Sequence, residues 1–158
     1  MRDAEYQIPD TIWRSGDGDV RQLIYISHAT SRMSDADLLE LLREARRLNA
    51  QHGVTGLLLY VADHFIQCIE GGEPAIAQLA RNISVDTRNR AFTILLDRMV
   101  RKRAFETWQM GFRSMEIGEL QQEEGFRDLR SAADLEAVFQ RKDQIYTLMQ
   151  RLYAANRG

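Results

Sequence analysis

Two apolar runs separated by the short segment ADH limit the possible folds of this chain more than any other sequence feature. They lie in VTGLLLYVADHFIQCIEGG, residues 54–72. Each run has the length of a strand, and the short interruption between them predicts a β-hairpin. Helical patterns stand on both sides of the hairpin, so its strands have to share a sheet with strands from other parts of the sequence.

A strand and then a helix are predicted before the hairpin. The segment QLIYISHA, residues 22–29, alternates along its length and contains β-branched residues, as strands do. In the helical pattern that follows, Ser34 and Asp37 form a capping box, and apolar residues recur at helical spacing. Gly53 is a suitable residue for ending this helix.

A second helix and two further strands are predicted after the hairpin. Pro74 suits the first turn of a helix in EPAIAQLARNISVD, and AFTILLDRMV has the pattern of a fourth strand. A turn of helix and then a short fifth strand, from Trp108 to about Arg113, are predicted in RKRAFETWQMGFRSM.

The order βαββαβ plus one further strand indicates an α+β fold with a ferredoxin-like layer, in which two helices cross one face of an antiparallel sheet. In that topology the first and third strands are central neighbours. Two helical patterns follow residue 117, and an apolar stripe on the second needs a cover, either the open sheet face or a partner helix. The stripe consists of Leu135, Val138, Phe139, Ile145, Met149 and Leu152. We expect an N-terminal arm (1–20), a central domain (21–115) and a C-terminal helical extension (116–158).

Composition excludes several classes of function. The chain has 158 residues and a formal net charge of −2, so a single core is expected and nucleic acid is not the default partner. Cys68 is the only cysteine, which rules out an internal disulfide and fits a reducing cytoplasm. The three histidines are not at metal-ligand spacing, and no apolar run approaches the roughly 20 residues that span a membrane.

Three polar residues are predicted to converge inside the apolar layer. Tyr25 on the first strand and Gln67 on the third each share a strand face with apolar residues, and Asn49 lies on the apolar stripe of the first helix. A buried amide needs hydrogen-bond partners, so a satisfied internal network is one interpretation. The other is a binding site for a planar heterocycle, since an amide offers both a donor and an acceptor to the edge of such a ring.

These residues, together with TGLLLY, FIQCIEG, DTRNR and RAFETWQMGF, resemble the BLUF family of blue-light sensors that use FAD. The resemblance runs from about Arg21 to Met115, in the family's order and spacing. It implies a ferredoxin-like fold that holds FAD non-covalently between its two helices.

The resemblance also implies roles for individual residues. Gln67 matches the switching glutamine between flavin and tyrosine, Tyr25 the tyrosine that donates an electron and a proton, and Asn49 the asparagine at the flavin ring edge. Trp108 and Met110 match a pair that relays the signal, and family members differ over which of the two lies near the flavin.

Further residues match the pocket of the family. Asp86 and Arg88 match a turn near the ring and ribityl chain, and Phe65 and Ser27 match pocket positions. Many family members carry histidine where this chain has Asn89. A polar neighbour of the ring remains, but stacking on the flavin is lost, so affinity or pocket polarity is expected to differ.

The implied function is a non-enzymatic blue-light photoreceptor that signals through light-driven rearrangement of the hydrogen bonds of Gln67 between Tyr25 and the flavin. About 40 residues follow the resemblance, too few for a cyclase or phosphodiesterase domain. We therefore expect output through a separate signalling protein or through self-association as a homo-oligomer in the cytoplasm, without nucleic acid or membrane. Candidate contact regions are the C-terminal stripe and the acidic residues Glu119, Glu123 and Glu124.

Two alternatives stay open from the sequence. A light-insensitive flavin-binding or protein-interaction module of the same fold would use the same cluster without photochemistry. An acylphosphatase-like enzyme would need an arginine in the first strand–helix loop, where Arg32 lies, and a strand asparagine, whereas Asn49 is predicted on a helix.

Overall fold

A five-stranded sheet with helices against both faces is the framework of the protein in a computed structural model that describes residues 18–131 and 141–157. The strands are β1 (Val20–Ala29), β2 (Thr55–Val61), β3 (His64–Gly71), β4 (Asn89–Val100) and β5 (Gly111–Met115). The helices are α1 (Asp35–His52), α2 (Glu73–Ser84), α3 (Ile117–Leu120) and α4 (Lys142–Arg157). Most of the expected N-terminal arm, and the stripe residues Leu135, Val138 and Phe139, lie outside the described residues.

The sheet has the order β4-β1-β3-β2-β5. β1 pairs antiparallel with both β3 and β4, and β2 pairs antiparallel with β3, so the first and third strands are central neighbours. β5 is added parallel to β2 at the edge. This arrangement confirms the predicted ferredoxin-like layer with an extra strand.

The predicted hairpin is formed by β2 and β3. Its two turn residues, Ala62 and Asp63, both have positive φ values, 48° and 61°. Such a turn twists in the same sense as the flanking strands and therefore closes a tight hairpin. The hairpin fixes the register in which Leu58 faces Gln67.

The predicted ends of α1 are also present. The Ser34 hydroxyl accepts a hydrogen bond from the Asp37 backbone N–H, and the Asp37 carboxylate accepts one from the Ser34 N–H, both at 3.1 Å. Gly53 ends the helix with a φ of 65°, a conformation that glycine adopts without strain. Between these caps Leu38, Leu42 and Asn49 are the buried positions, so Asn49 does lie on the apolar stripe.

The two sheet faces have different covers. Leu23, Tyr25, Phe65 and Ile69 belong to a core that α1 and α2 complete. The side chains that alternate with them belong to a second core, which the C-terminal residues complete; it includes Ile24, Ile26, Ile66, Cys68, Leu120, Phe126, Ile145, Leu148, Met149 and Leu152. The described part of the C-terminal stripe is therefore covered by the chain's own sheet.

The fifth strand begins later than predicted. Trp108 and Met110 precede β5 and lie in the linking segment, residues 101–110, between β4 and β5. Their carbonyls accept hydrogen bonds from residues that are distant in sequence, so the local sequence pattern does not reveal these contacts. The Gly56 N–H donates to Trp108 O at 2.9 Å, and Arg46 Nε donates to Met110 O at 2.9 Å. Turns replace the predicted helical turn before Trp108, and the acidic pattern after residue 117 forms only the four-residue α3.

Among the described residues, none of the helices combines the length and the apolar character needed to cross a membrane.

Gly56 tests how closely β2 and β3 approach near the linking segment. A Cβ atom at this position would lie 2.0 Å from the Cys68 carbonyl oxygen and 3.2 Å from Met110 Cε. We expect Gly56→Ala to lower the free energy of unfolding by about 2 kcal/mol or more, because strand backbone has to move. Urea denaturation in the dark measures this.

Gly118→Ala is the matched control, since its Cβ would meet nothing within 4 Å. We expect it to be neutral or slightly stabilising, because it replaces a helical glycine by alanine. Equal losses in the two variants would contradict the close approach at Gly56.

Candidate functional site

A cavity of about 130 Å³ opens between α1, α2 and the sheet face that carries Tyr25. Its wall is mostly apolar, with a few polar groups from five different elements and the α2–β4 turn. The lining residues are Tyr25, Leu41, Glu44, Ala45, Leu48, Asn49, Leu58, Phe65, Gln67, Leu79, Asn82, Ile83, Asp86, Arg88 and Asn89.

Tyr25 and Gln67 meet in the floor of the cavity. They are direct register partners on the two central strands, so their side chains leave the same face of the sheet side by side. The Tyr25 hydroxyl donates a hydrogen bond to Gln67 Oε1 at 2.5 Å. The partner that a buried glutamine requires is therefore supplied by the neighbouring strand.

Met110 completes the environment of Gln67. Gln67 Nε2 donates to Met110 Sδ at 3.2 Å, and the Met110 side chain is buried. The amide thus links the Tyr25 phenol on one side to the linking segment on the other. A thioether is a weak acceptor, so this second bond is the weaker of the two.

The Tyr25 phenol is held in its neutral form. Burial raises the pKa of this hydroxyl far above its usual value, and the negative charge of Asp86 raises it further. The Phe92 ring lies 4.7 Å from the Tyr25 ring, which adds to its apolar surroundings. Tyr25 therefore keeps the proton that it shares with Gln67 across the neutral pH range.

Asn49 ties the cavity wall on α1 to the linking segment. Its side chain is 3% exposed, and its Nδ2 donates to the Gln109 carbonyl at 2.7 Å. Because Asn49 also lines the cavity, one carboxamide contacts both the space for a ligand and the residue next to Met110.

An ion-pair network lies at the α2–β4 turn. Arg88 donates from Nε and Nη2 to the Asp86 carboxylate, at 3.0 Å and 2.5 Å, and reaches Glu44 on α1 at 3.4 Å. These hydrogen bonds hold the pKa of Asp86 below its usual value. The turn is thereby fixed beside the cavity, and a cationic side chain lines its wall.

Asn89 provides a buried hydrogen-bond acceptor that has no partner among the described residues. Its Nδ2 donates to the carbonyls of Ile83, at 3.0 Å, and Asp86, at 2.9 Å, at the end of α2. Its Oδ1 is buried without a hydrogen-bond partner among the described residues, and Asn89 lines the cavity. Such an atom suits a ligand that donates an N–H or O–H.

Three residues predicted for the site, Ser27, Trp108 and Met110, do not line the cavity. Ser27 is fully buried on β1 and does not line it. Trp108 packs with the core on the opposite face of the sheet, its ring 4.8 Å from that of Tyr153 in an edge-on contact. Of the Trp108 and Met110 pair, the structure brings Met110 to Gln67.

Sequence reasoning missed several wall residues that helical spacing could have supplied. Leu41, Leu48, Leu79 and Ile83 recur at intervals of four or seven on the inner faces of α1 and α2. Glu70 was also missed, although a charged residue in an apolar strand is conspicuous. It is completely buried and binds the linking segment.

Comparisons with known proteins identify the family of this chain. A family model described as sensors of blue light using FAD, BLUF, matches residues 20–111. Photoactivated adenylate cyclase subunit beta of Euglena longa is 43% identical over 79 residues, which cover 50% of this chain and 9% of that protein. Subunit alpha of Euglena gracilis is 36% identical over 87 residues, which cover 55% of this chain and 8% of that protein. The chain therefore spans less than a tenth of these relatives.

Solved structures match over most of the chain. The dark-state structure of BlrB, a BLUF protein, has a TM-score of 0.70 and 29% identity, covering 87% of this chain and 98% of that one. The photo-activated state of BlsA has a TM-score of 0.62 and 25% identity, covering 77% and 93%.

The raised pKa of the Tyr25 phenol leads to a prediction about stability at alkaline pH. Because its pKa is raised in the folded chain, the unfolded chain releases this proton first. The contribution of this group to the free energy of unfolding is therefore fully present below about pH 10, which is its pKa in the unfolded chain, and is lost as pH rises above that value. Between about pH 8 and pH 11 we expect wild type to lose about 1 kcal/mol more than Tyr25→Phe. Urea denaturation at both pH values tests this, and equal losses would contradict the raised pKa.

Proposed function

The chain belongs to the BLUF family of blue-light sensors that use FAD, and from that premise we propose how its own residues hold the flavin and begin the response to light. The observation that carries the proposal is the chain of contacts from Tyr25 through Gln67 to Met110, with bonds of 2.5 Å and 3.2 Å. It joins the wall of the cavity to the linking segment.

The donor and acceptor set of the cavity fits a flavin. The carboxamides of Asn49 and Gln67 would hold the alternating carbonyl and N–H groups of the ring edge, and Asn89 Oδ1 would accept from a donor on the ligand. Apolar side chains of α1 and α2, such as Leu41, Leu48 and Ile83, line the cavity and would exclude water from a bound ring.

Tyr25 and Gln67 begin the response. FAD bound in the cavity supplies a strong oxidant when it absorbs blue light. Tyr25 lines this cavity as a neutral phenol, and it would give up an electron while its proton moves from Oη to Gln67 Oε1 along the existing hydrogen bond. Tyr25 regains both at the end of the cycle, so the chain acts as a sensor without turnover.

The lasting change is a reoriented Gln67 amide. Reversal of the amide would place Nε2 toward the Tyr25 oxygen, and Oε1 beside Met110 Sδ. Two acceptors would then face each other, so the hydrogen bond from Gln67 to Met110 is lost. Met110 moves away in response, and the displacement enters the linking segment.

The linking segment passes the displacement to α4 through Tyr153. The Tyr153 hydroxyl accepts from the Thr107 N–H at 3.2 Å and shares a hydrogen bond with the Thr107 hydroxyl at 2.8 Å. The Trp108 ring packs edge-on against the Tyr153 ring. Trp108 therefore serves at the output end of the route, whereas Met110 serves at the flavin end.

Output from α4 goes to a separate signalling protein or to a second copy of the chain. The inner face of α4 is occupied by the sheet, so a partner contacts its outer side or the neighbouring acidic residues Glu119, Glu123 and Glu124. Molar mass measured by light scattering in darkness and under blue light separates the two routes. In a sample of the purified chain alone, light changes the molar mass only if output goes through self-association.

Replacement of Tyr25 tests the photochemical proposal. The wild-type protein with FAD is expected to show a small reversible red shift of its visible absorption under blue light, since the reoriented amide would donate to a flavin carbonyl. Tyr25→Phe should abolish the shift while flavin stays bound, because the electron and proton donor is gone. Absorption spectra before, during and after illumination measure it.

Tyr60→Phe is the control for loss of a buried phenol on the same sheet face. The Tyr60 hydroxyl bonds to Asp63 and to the Met33 N–H, and Tyr60 does not line the cavity, so the red shift should persist. A wild-type flavin that is bound but unresponsive would leave a light-insensitive flavin module instead. A shift that survives in Tyr25→Phe would remove Tyr25 from the mechanism.

Replacement of Tyr153 separates light detection from output. Tyr153→Phe keeps the ring contacts with Trp108 and Phe105 but removes the bonds to Thr107. We expect the red shift to be unchanged and the light-induced change in hydrogen exchange of α4 to fall by about half or more, because one of two couplings is lost. An undiminished exchange response would show that the route avoids the Tyr153 hydroxyl.

A further inference from the structure

We propose that Glu70 is a positioning residue for the light response: it fixes the start of the linking segment, so that motion at Met110 is directed to Tyr153. The proposal rests on the function proposed above and adds a residue that none of its steps uses. Glu70 lies three residues beyond Gln67 on β3, and its side chain leaves the opposite face of the sheet.

The Glu70 carboxylate is completely buried and accepts three hydrogen bonds. The backbone N–H of Ala104 donates to Oε2 and that of Phe105 donates to Oε1, both at 2.8 Å. Gln22 Nε2 donates to Oε2 at 2.7 Å. A buried carboxylate with three donors forms strong, short bonds, so these two backbone positions are held against β3.

The neighbouring residues strengthen this attachment. Gln22 is itself held by Arg98 Nε, which donates to its Oε1 at 2.9 Å. Arg103 donates to the Thr55 hydroxyl at 3.0 Å and to the Glu70 carbonyl at 3.3 Å. Phe105 is completely buried in the core beneath α4. The segment therefore has one rigid end at residues 103–105.

The other end of the segment is held by separate contacts from β2, β3 and α1, none of which involves a buried charged side chain. Met110 is contacted by Gln67 through sulfur, and its carbonyl accepts from the exposed Arg46. The Gln109 carbonyl accepts from Asn49 Nδ2 at 2.7 Å, and the Trp108 carbonyl accepts from the Gly56 N–H at 2.9 Å. Because the segment is fixed at Phe105 and displaced at Met110, the residues between these two have to change conformation. Thr107 and Trp108 lie in this stretch and contact Tyr153.

The same attachment holds Met110 against Gln67. When the amide returns to its dark orientation, the Met110 side chain has to yield in a tightly packed site, and a rigid segment resists this movement. Loosening of the segment should therefore lower the barrier to amide rotation. Dark recovery reports this barrier directly, whereas a purely structural role of Glu70 would change stability without changing the recovery rate.

Glu70→Gln is the first test. A glutamine offers one acceptor atom and an NH₂ group, which cannot accept from both Ala104 and Phe105, so one backbone N–H loses its partner. We expect the red shift to persist and dark recovery to become about three- to tenfold faster. This factor corresponds to a barrier to amide rotation that falls by part of the free energy of one hydrogen bond to a charged acceptor. An unchanged recovery rate would overturn the proposal.

Two comparisons show whether Glu70 acts through Met110. In a Met110→Leu background the effect of Glu70→Gln should shrink to less than about twofold, because the contact that it positions is gone. An equal acceleration in both backgrounds would overturn the proposal. Val61→Ala, at the far end of β2 from Gly56, is the control for general loosening of the core and should not accelerate recovery.

Hydrogen exchange of the wild-type protein provides a test that needs no variant. The amides of Ala104 and Phe105 should stay protected both in darkness and under continuous blue light, whereas those from Thr107 to Met110 should exchange faster in the light. Joint loss of protection along the whole segment would mean that Glu70 does not form a fixed end. A wild-type protein without any red shift would instead refute the underlying photoreceptor mechanism and leave this structural attachment intact.

Discussion

The site depends on a buried carboxamide in the middle of a sheet. Gln67 lies on a central strand where apolar side chains surround it, and an amide without partners would be strongly destabilising there. One partner comes from β1, through Tyr25, and the other from the linking segment, through Met110. Neither contact is possible unless β1 and β3 are neighbours in register and the segment crosses the end of the sheet. The amide therefore couples the sheet topology to the position of a loop.

A strong and a weak hydrogen bond to one amide make an asymmetric arrangement. The phenol bond is short and lies in surroundings that keep Tyr25 neutral, whereas the thioether bond is weak by its chemistry. A change of amide orientation thus loses less at Met110 than it would with an oxygen acceptor. This is suitable for a switch, because both orientations stay close in free energy.

The sequence predicted the layer and the polar cluster because both follow from periodicity. Strand alternation places Tyr25 and Gln67 on one face, and helical spacing places Asn49 opposite them. The start of β5 was predicted too early because Trp108 and Met110 are ordered by the backbone of Gly56 and by Arg46, which are distant in sequence. For the same reason the sequence could not place Trp108 on the far side of the sheet. The attachment of Glu70 to the linking segment is likewise a contact between residues more than thirty positions apart.

The sheet divides the molecule into two cores that share backbone but have separate side chains. Alternation along β1 and β3 assigns each residue to one core, so a substitution under α4 that does not contact the linking segment changes no side chain of the cavity wall. The colour and chemistry of the sensor can consequently evolve separately from the surface that a receiver recognises. The linking segment contributes side chains to both cores, Phe105 to one and Met110 to the other. Its sequence therefore has to suit the packing beneath α4 and the packing next to the cavity at the same time.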